Sequence, residues 1–237
     1  MATKIKKIEV LLEDLFEAGA HFGHQTKRWN PKMDEYLYGS EGGVHIFDLV
    51  KTKEALEAAL EFLATAVAEG KTILLLGTKK QIKDKVREMS VATGLPFVDE
   101  RWLGGTISNF EQMKKSLKKL EDLKEGMVSG EFNKYTKKER LLIEREITRL
   151  ERFFGGLKGI TKVPEVLFII DTKREASAVR EASRLGVTTI GIVDSNSDPD
   201  MIDYPIPMND DASKALEYVL NKIQETILEA QKTIKAK

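Results

Sequence analysis

Two short runs of consecutive apolar residues constrain the fold of this 237-residue chain more than any other feature. The first run reads ILLL at 73–76, the second reads VLFII at 166–170, and both are bounded by polar residues or glycine. A strand with one face in water alternates apolar and polar residues, whereas helices cover both faces of a strand in a parallel sheet. The two runs therefore predict buried strands of a parallel sheet.

Helical patterns separate these strands along the chain. Apolar residues recur at intervals of three and four in several segments, and Gly19, Gly70, Gly94 and Gly186 follow four of them as helix stops. The predicted helices cover 8–18, 53–68, 79–92, 174–185 and the segment from about 212 into the basic tail KTIKAK. Further strands are expected at 36–38, 44–47, 97–98, 188–193 and 204–207. Strands that alternate with helices predict a three-layer, doubly wound α/β fold with a Rossmann-like parallel sheet.

The alternation stops between residues 110 and 155. Two charged helical segments fill this stretch, each with apolar residues along one face, and the polar segment 126–135 joins them. Two amphipathic helices with a short link predict an antiparallel coiled-coil hairpin. We therefore expect an α/β globular domain formed by 1–109 and 156–237, with the hairpin 110–155 inserted in its middle.

Capping boxes are expected at the first turn of three helices. In this motif a Ser or Thr side chain and a Glu or Gln three residues later bond to each other's backbone N–H groups. The pairs with this spacing are Thr78 with Gln81, Ser108 with Glu111, and Thr136 with Glu139.

The composition excludes several kinds of chemistry and location. The chain contains no cysteine, which removes disulfides, thiolate zinc sites and cysteine nucleophiles. Glu9, Glu13, Asp14 and Glu17 interrupt the apolar residues near the N-terminus, so no signal-peptide core is expected there. No apolar run approaches the roughly 20 residues that a membrane-spanning helix needs. We expect a cytoplasmic protein with no membrane partner.

Charge is unevenly distributed although the formal net charge is zero. Residues 71–119 contain eleven Lys or Arg against five Asp or Glu, whereas residues 190–211 contain six Asp and no cation. A dipolar molecule follows if the two stretches form separate surfaces. The alternative is that each stretch is an ordinary solvated face.

The carboxyl ends of the parallel strands are the place where this architecture usually binds ligands. GTKKQ follows the first strand, and its glycine, lysines and helix start suit a phosphate. Neither phosphate-binding fingerprint, GxxxxGK[ST] or GxGxxG, occurs in the chain, and no serine, histidine or carboxylate pattern indicates a catalytic site. We expect no enzyme and no small-molecule substrate.

A weak metal-site signal lies in HFGH at 21–24. Histidine and carboxylates together bind divalent metals, and strand-end loops can converge on one point. The ligands would be His24, Asp194, Asp210 and Asp211, in a structural site for zinc or another divalent metal. Such histidines also serve as ordinary hydrogen-bonding residues, and no cofactor is required.

Nucleic-acid binding is the stronger hypothesis. Both tryptophans follow an arginine in predicted loops, and basic side chains surround them, so phosphate contacts and stacking on unpaired bases are expected. The alternatives are core packing of the tryptophans and solvated flanks for the hairpin lysines. The predicted RNA-binding residues are Lys27, Arg28, Trp29, Asn30, Lys32, Lys79, Lys80, Arg101, Trp102, Lys114, Lys115, Lys118 and Lys119.

Longer stretches carry a family resemblance. They read AGAHFGHQTKRWNPKMDEYLYG, GGVHIFDLVKT, LLLGTKKQ, RWLGGTISNF and the run from PEVLFII to MNDDA. HFGH, RWLGG, NSDPD and NDDA are specific in combination, and together these stretches closely resemble the bacterial small-subunit ribosomal protein S-two family from residue 8 to about 225. Met208 and Glu41 depart from the family pattern, in which glycine and a basic residue are common.

The resemblance implies both a fold and a role. The implied fold is a flavodoxin-like domain with a coiled-coil arm, on the solvent side of the small ribosomal subunit. The implied role is a structural constituent that binds small-subunit rRNA, contacts neighbouring small-subunit proteins, and helps to recruit the large ribosomal protein S-one for translation. The RNA-facing positions that carry over with the motifs are Lys27, Arg28, Trp29, Asn30, Arg101 and Trp102. The loop HFGHQTKRWNPK is then expected to anchor rRNA.

Overall fold

A computed structural model of the protein describes residues 8–235. Residues 1–7 and 236–237 lie outside the described residues. The first range begins the segment discussed above for a signal peptide, and the second ends the basic tail. The strands are β1 (Phe22–Gln25), β2 (Leu37–Glu41), β3 (Val44–Phe47), β4 (Ile73–Leu76), β5 (Phe97–Val98), β6 (Val166–Ile169), β7 (Thr188–Val193) and β8 (Tyr204–Pro207). The α-helices are α1 (Leu12–Glu17), α2 (Leu49–Ala68), α3 (Lys83–Thr93), α4 (Phe110–Ser129), α5 (Lys137–Phe154), α6 (Ala176–Leu185) and α7 (Ser213–Lys235).

The main sheet confirms the predicted α/β class. Its five strands lie in the order β5-β4-β6-β7-β8, and every neighbouring pair is parallel. Numbered along the chain within this sheet, the order is 2-1-3-4-5, which is the flavodoxin-like arrangement. The order reverses between β4 and β6, so the ligand crevice of such a fold opens beyond these two strands.

Alternate residues of the central strands enter two separate cores. Leu75 of β4 and Phe168 of β6 pack with α2, α3 and α7 on one face of the sheet. Leu74 and Leu167 pack on the other face with α4, α6 and the segment around Phe47. Both runs are buried throughout because each face has its own covering layer, as the continuous apolar pattern predicts.

A second, three-stranded antiparallel sheet precedes the main one. Its order is β1-β3-β2, and the strands expected near 36–38 and at 44–47 pair as a β-hairpin, with Gly42 and Gly43 in the positive-φ turn between β2 and β3. The expectation of a loop at 21–32 is wrong at its start, because β1 pairs with β3 through Phe22 and Gln25. Short 3-10 turns at Thr26–Arg28 and Pro31–Tyr36 complete the segment.

Several predicted helix starts are wrong because tertiary contacts override the local pattern. Helix α1 begins at Leu12 rather than at residue 8. The Thr78 hydroxyl donates to Glu175, so it caps nothing, and α3 begins only at Lys83. The Ser108 hydroxyl likewise donates to Glu181. The capping box of Thr136 and Glu139 at the start of α5 is confirmed.

Helices α4 and α5 occupy the stretch predicted as a hairpin, and a 3-10 turn at Glu131–Lys134 joins them. The two helices contact each other, and Lys119 of α4 forms an ion pair with Glu146 of α5 at 2.8 Å. Across residues 121–149, all of which the structure describes, only Gly126 is buried, so the distal part of the pair is exposed. We call α4, α5 and their connecting turn the helical pair. Its coiled-coil packing and its status as a separate insertion remain predictions.

Candidate functional site

Charged side chains from five separate segments meet beyond the carboxyl ends of the main strands. Loops after β4, β6, β7 and β8 supply one lysine and several aspartates, and β1 lies against them with one histidine. We call this group the strand-end charge cluster. Its members are His24, Lys79, Asp171, Asp194, Asp210 and Asp211.

Lys79 is the cation at the centre of this cluster. Its ammonium Nζ lies 3.2 Å from Asp171 Oδ2, 2.6 Å from Asp210 Oδ1 and 2.7 Å from Asp211 Oδ1, and it also donates to the Asp210 carbonyl. Burial by itself lowers the pKa of Lys79, but the charge of Asp210 and the hydrogen bonds to Asp210 and Asp211 raise it well above its ordinary value. Three carboxylates surround the buried ammonium of Lys79, which disfavours a contact with RNA phosphate, and RNA binding by Lys79 stays a prediction.

His24 connects β1 to the same cluster. Its ring nitrogen Nδ1 lies 2.9 Å from Asp194 Oδ1, and Nε2 lies 3.7 Å from Asp211 Oδ2. The hydrogen bond to Asp194 is the largest influence on this histidine and raises its pKa, against the opposing effect of burial. The backbone N–H of His24 also donates to Ser195 Oγ at 2.7 Å. The histidine is thus held on both its backbone and its ring.

The neighbouring glycine explains how β1 approaches so closely. A Cβ added at Gly23 would lie 2.9 Å from Ser195 Oγ and 3.2 Å from the His45 carbonyl oxygen. Any side chain at this position would therefore push β1 away from the strand ends. The glycine of HFGH is required by this contact.

Asp194 and Asp210 are fully or almost fully buried, so the acidic stretch 190–211 is not simply a solvated face. Asp194 accepts hydrogen bonds from the N–H and hydroxyl of Ser195 and from the N–H of Asp210. Burial, followed by the charges of Asp194 and Asp171, raises the pKa of Asp210 to about 7, although Lys79 opposes this effect. The cluster contains four carboxylates, and its basic side chains are those of Lys79 and His24.

Three of the four residues predicted as metal ligands converge, and the fourth, Asp211, lies beside them. Oxygen or nitrogen atoms of His24, Asp194 and Asp210 lie within 4.8 Å of one another, and Asp211 approaches His24 from the other side. One imidazole with several carboxylates is a donor set that suits zinc and other divalent ions. The donor atoms fit such an ion, while Lys79 already neutralises part of the negative charge.

The two tryptophans have different environments. Trp102 is 5% exposed and belongs to the core, and its indole Nε1 donates to Glu181 Oε2 at 2.9 Å. Burial of both faces of the Trp102 ring disfavours stacking on RNA bases, and RNA contact by Trp102 stays a prediction. Trp29 is half-buried and packs against the His45 ring at a tilt of 33°, with ring centroids 4.8 Å apart. Part of its surface remains accessible.

The acidic stretch 190–211 contacts cations both inside and outside the basic stretch 71–119, so the two stretches are not wholly separate surfaces. Lys79 contacts Asp210 and Asp211, and Lys32 lies 2.9 Å from Asp198 and 2.7 Å from Asp200. Lys32 is therefore engaged by acidic side chains within the chain. Its contribution to RNA binding stays a prediction.

The remaining predicted cations lie at the surface. Lys114 pairs with Glu111 and lies over the Phe110 ring, and Lys119 pairs with Glu146. Asn30 holds its turn together: its side chain accepts from the Lys32 N–H, and its own N–H donates to the Ser195 carbonyl at 2.7 Å. The exposed members are Lys27, Arg28, Lys80, Arg101, Lys115 and Lys118. RNA contact by all these residues remains a prediction.

Three residues that organise these regions are not among the residues predicted above: Asp171, Ser195 and Glu181. Asp171 follows a predicted buried strand, so its position at a strand end was an available signal. Ser195 and Glu181 gave no local signal, because their partners lie far away in the chain.

No helix within residues 8–235 combines the length and the apolar character needed to cross a bilayer. The family model for ribosomal protein S2 matches residues 15–230. A protein of Coprothermobacter proteolyticus named small ribosomal subunit protein uS2 is 43% identical over 222 residues, covering 94% of this chain and 83% of that relative. Proteins of the same name from Roseiflexus and Geotalea uraniireducens are each 46% identical, covering 94% and 93% of this chain and 85% and 86% of the relatives. The chain belongs to the ribosomal protein S2 family, whose members are structural proteins rather than enzymes.

Proposed function

We propose that this chain is a structural constituent of the cytoplasmic small ribosomal subunit and binds small-subunit rRNA through an exposed basic turn. The observation that carries the proposal is the turn at 26–30, which presents Lys27 and Arg28 beside the half-buried ring of Trp29. Cations bind phosphates, and an accessible aromatic face stacks on unpaired bases. We call residues 26–30 the basic turn.

The basic turn is mounted on a fixed part of the fold. The Asn30 N–H donates to the Ser195 carbonyl at 2.7 Å, and the Thr26 N–H donates to the Gly43 carbonyl at 3.0 Å. Trp29 also packs on His45 of β3. A surface that is ordered before binding loses less conformational entropy when RNA binds, which favours affinity.

The same geometry opposes a nucleotide-binding enzyme as the second candidate. The lysine that would hold a phosphate in the strand-end crevice is Lys79, and its ammonium is enclosed by Asp171, Asp210 and Asp211. An added phosphate would face these carboxylates in a buried setting, where like charges repel strongly. The crevice is therefore filled by the chain's own charges.

Charge reversal tests the RNA proposal. The variant with Arg28→Glu and Arg101→Glu is expected to enter small subunits much less than the unmodified chain, measured by sedimentation on a sucrose gradient. Arg184→Glu, a reversal at another exposed arginine, serves as the matched control and is expected to incorporate normally. Unchanged incorporation of the double variant would refute an RNA contact by these arginines.

The helical pair offers a second RNA contact with its own measurement. Lys115 and Lys118 are exposed, whereas Lys114 and Lys119 are engaged by Glu111 and Glu146. Replacing Lys115 and Lys118 by Ala is expected to reduce the salt slope of RNA binding by about 0.7–0.9 per lost phosphate contact. The Lys114 and Lys119 double variant is the comparison and should change the slope less. Equal salt slopes for the unmodified chain and the variant lacking Lys115 and Lys118 would contradict an RNA contact by these two lysines of α4.

We further propose that an apolar surface beside α1 helps to recruit S-one. A cavity of about 510 Å³ lies between α1 and β2–β3, lined by residues that include Phe16 and Tyr38. These side chains are 61% and 84% exposed, which is unusual for large aromatic residues unless a partner covers them. Replacing both by Ser is expected to reduce co-sedimentation of S-one with the subunit while rRNA binding persists. Retention of S-one on such subunits would contradict this assignment.

A structural divalent ion is a separate proposal for the strand-end charge cluster. The His24 ring lies between two carboxylates, with Nδ1 2.9 Å from Asp194 and Nε2 3.7 Å from Asp211, and imidazole with carboxylates suits a divalent ion. The ion would use His24, Asp194, Asp210 and Asp211 and would cross-link β1 to the strand ends. Metal analysis of the purified protein is expected to find an ion that His24→Ala loses. A metal content that His24→Ala does not alter would contradict the proposal.

A further inference from the structure

Glu181 of α6 is buried although acidic side chains are almost always exposed unless they are paired. Within the described residues, five hydrogen-bond donors converge on its carboxylate. Oε1 accepts from the Ile107 N–H at 3.0 Å and from the Ser108 N–H and hydroxyl at 2.7 and 2.9 Å. Oε2 accepts from the Trp102 indole at 2.9 Å and from the Gly105 N–H at 3.2 Å.

All five donors belong to residues 102–108, the segment that leads from β5 into α4. Helix α6 is part of the α/β body, whereas α4 begins the helical pair. Burial by itself raises the pKa of Glu181, but the hydrogen bonds from Ser108, Trp102 and Ile107 outweigh it and lower the pKa. The carboxylate is thus ionised and acts as the shared acceptor for an otherwise irregular stretch of backbone.

The return connection from α5 to the body is held differently. A Cβ added at Gly156 would lie 2.4 Å from the Phe97 carbonyl oxygen, so the backbone after α5 packs directly on β5. Arg152 of α5 also donates to Glu100 at 2.9 and 2.8 Å, and Glu100 pairs with Lys83 of α3. Arg152 is largely exposed, and exposed ion pairs contribute little. Backbone packing on β5 thus fixes the connection that follows α5, whereas the Glu181 carboxylate binds the segment 102–108 that precedes α4.

We propose that Glu181 is a positioning residue that fixes the direction in which α4, and with it the helical pair, leaves the body. Five donors that point to one charged acceptor leave the segment 102–108 a single favourable arrangement. Without that acceptor, three backbone N–H groups and the Trp102 indole lose their partner together. This inference stands whether or not the helical pair contacts RNA.

A change of direction at the base is amplified along the helix. Helix α4 has 20 residues and spans about 30 Å, so a rotation of about 10° at Phe110 displaces its far end by about 5 Å. Such a displacement is resolved by distances between two spin labels. The chain contains no cysteine, so labels attach only at engineered positions.

The test uses Glu181→Gln, which keeps the size of the side chain but places an amide NH₂ among N–H donors. Labels are attached to Val128→Cys on α4 and Glu61→Cys on α2, both at exposed positions. The unmodified chain and the control Glu217→Gln, at an exposed glutamate of α7, are expected to give one narrow distance distribution. Glu181→Gln is expected to shift or broaden that distribution by several ångströms, and an unchanged distribution would overturn the proposal.

A second readout separates positioning from a general loss of stability. In a Trp29→Phe background, Trp102 is the only tryptophan, and its quenching by acrylamide reports exposure of the segment 102–108. Glu181→Gln is expected to increase this quenching in the folded protein, and Glu181→Asp is expected to restore part of the protection. Should Glu181→Gln fail to fold, Trp102→Phe with Ser108→Ala removes two donors and keeps the carboxylate. The same broadening of label distances is expected, and its absence would overturn the proposal.

Discussion

The strand-end charge cluster and the basic turn lie on adjacent segments of the fold but use their charges in opposite ways. Lys79, in the cluster, is buried and contacts three carboxylates. Lys27 and Arg28, in the basic turn, extend into solvent from a backbone that Asn30 attaches to the loop after β7. From the sequence alone, Lys79, Lys27 and Arg28 are all predicted to bind RNA.

The contrast shows how a ligand-binding architecture serves as a scaffold. The crevice at the switch between β4 and β6 is the usual ligand site of this fold, and here an internal lysine and its aspartates fill it. The cluster ties β1 to the strand ends and thereby supports the basic turn that follows β1. Charge in one region stabilises the fold, and charge in the other is available to a partner.

The largest effect is expected from removing the central cation. Lys79→Met leaves Asp171, Asp210 and Asp211 without their counter-ion, and breaking a buried ion pair costs about 3–5 kcal/mol of folding free energy. Lys80→Met, at the exposed neighbour, is the matched control and should stay within about 0.5 kcal/mol. Urea unfolding measures both. Equal midpoints for the two variants would place Lys79 outside the stabilising cluster.

The two tryptophans are expected to separate stability from binding. Trp102→Ala removes a core ring and its hydrogen bond to Glu181, so a loss of about 3–5 kcal/mol of stability is expected. Trp29→Ala should cost less stability but weaken RNA binding by about 1–3 kcal/mol, the range for a stacked base. Thermal unfolding measures the stability of each variant, and an RNA titration measures its affinity. Full RNA affinity of the Trp29 variant would contradict a stacking role for Trp29.

A smaller, pH-dependent effect is expected at His24 in the metal-free protein. Asp194 raises the pKa of His24 in the folded state above its ordinary value of 6.5, so the folded state binds the proton more tightly. The resulting stability is fully present below pH 6.5 and is lost as the pH rises through the folded pKa. The difference between the unmodified chain and His24→Gln should therefore be largest in mild acid, about 1.5–3 kcal/mol for a charged hydrogen bond. A difference that grows with pH would reverse this account.

The main sheet and most helix ends follow from patterns that are local in the chain. The runs ILLL and VLFII predict β4 and β6 because burial on both faces leaves a continuous apolar signature. Gly94 and Gly186 end α3 and α6 because each adopts a positive φ that other residues avoid. These features require no knowledge of distant residues.

The errors concern residues whose partners are distant in sequence. Lys79 is neutralised by aspartates 131 and 132 positions later, and Ser108 bonds to Glu181 instead of capping α4. β1 is a strand only because β3 lies beside it. Three of the four candidate metal ligands, His24, Asp194 and Asp210, lie together because strand ends of a parallel sheet meet at one edge, and metal binding by them stays a prediction. The sequence therefore predicts the parallel sheet and its strand ends, but it does not predict which charged side chains contact each other.

The most direct measurement is the acylation rate of individual lysines, followed by mass spectrometry on the free chain and on assembled small subunits. We expect Lys27, Lys80, Lys115 and Lys118 to react in the free chain and to become protected on assembly. Lys79 should be unreactive in both states because carboxylates enclose its ammonium. A reactive Lys79 in the free chain, or exposed lysines that react equally before and after assembly, would contradict the division between an internal charge cluster and an external RNA-binding surface.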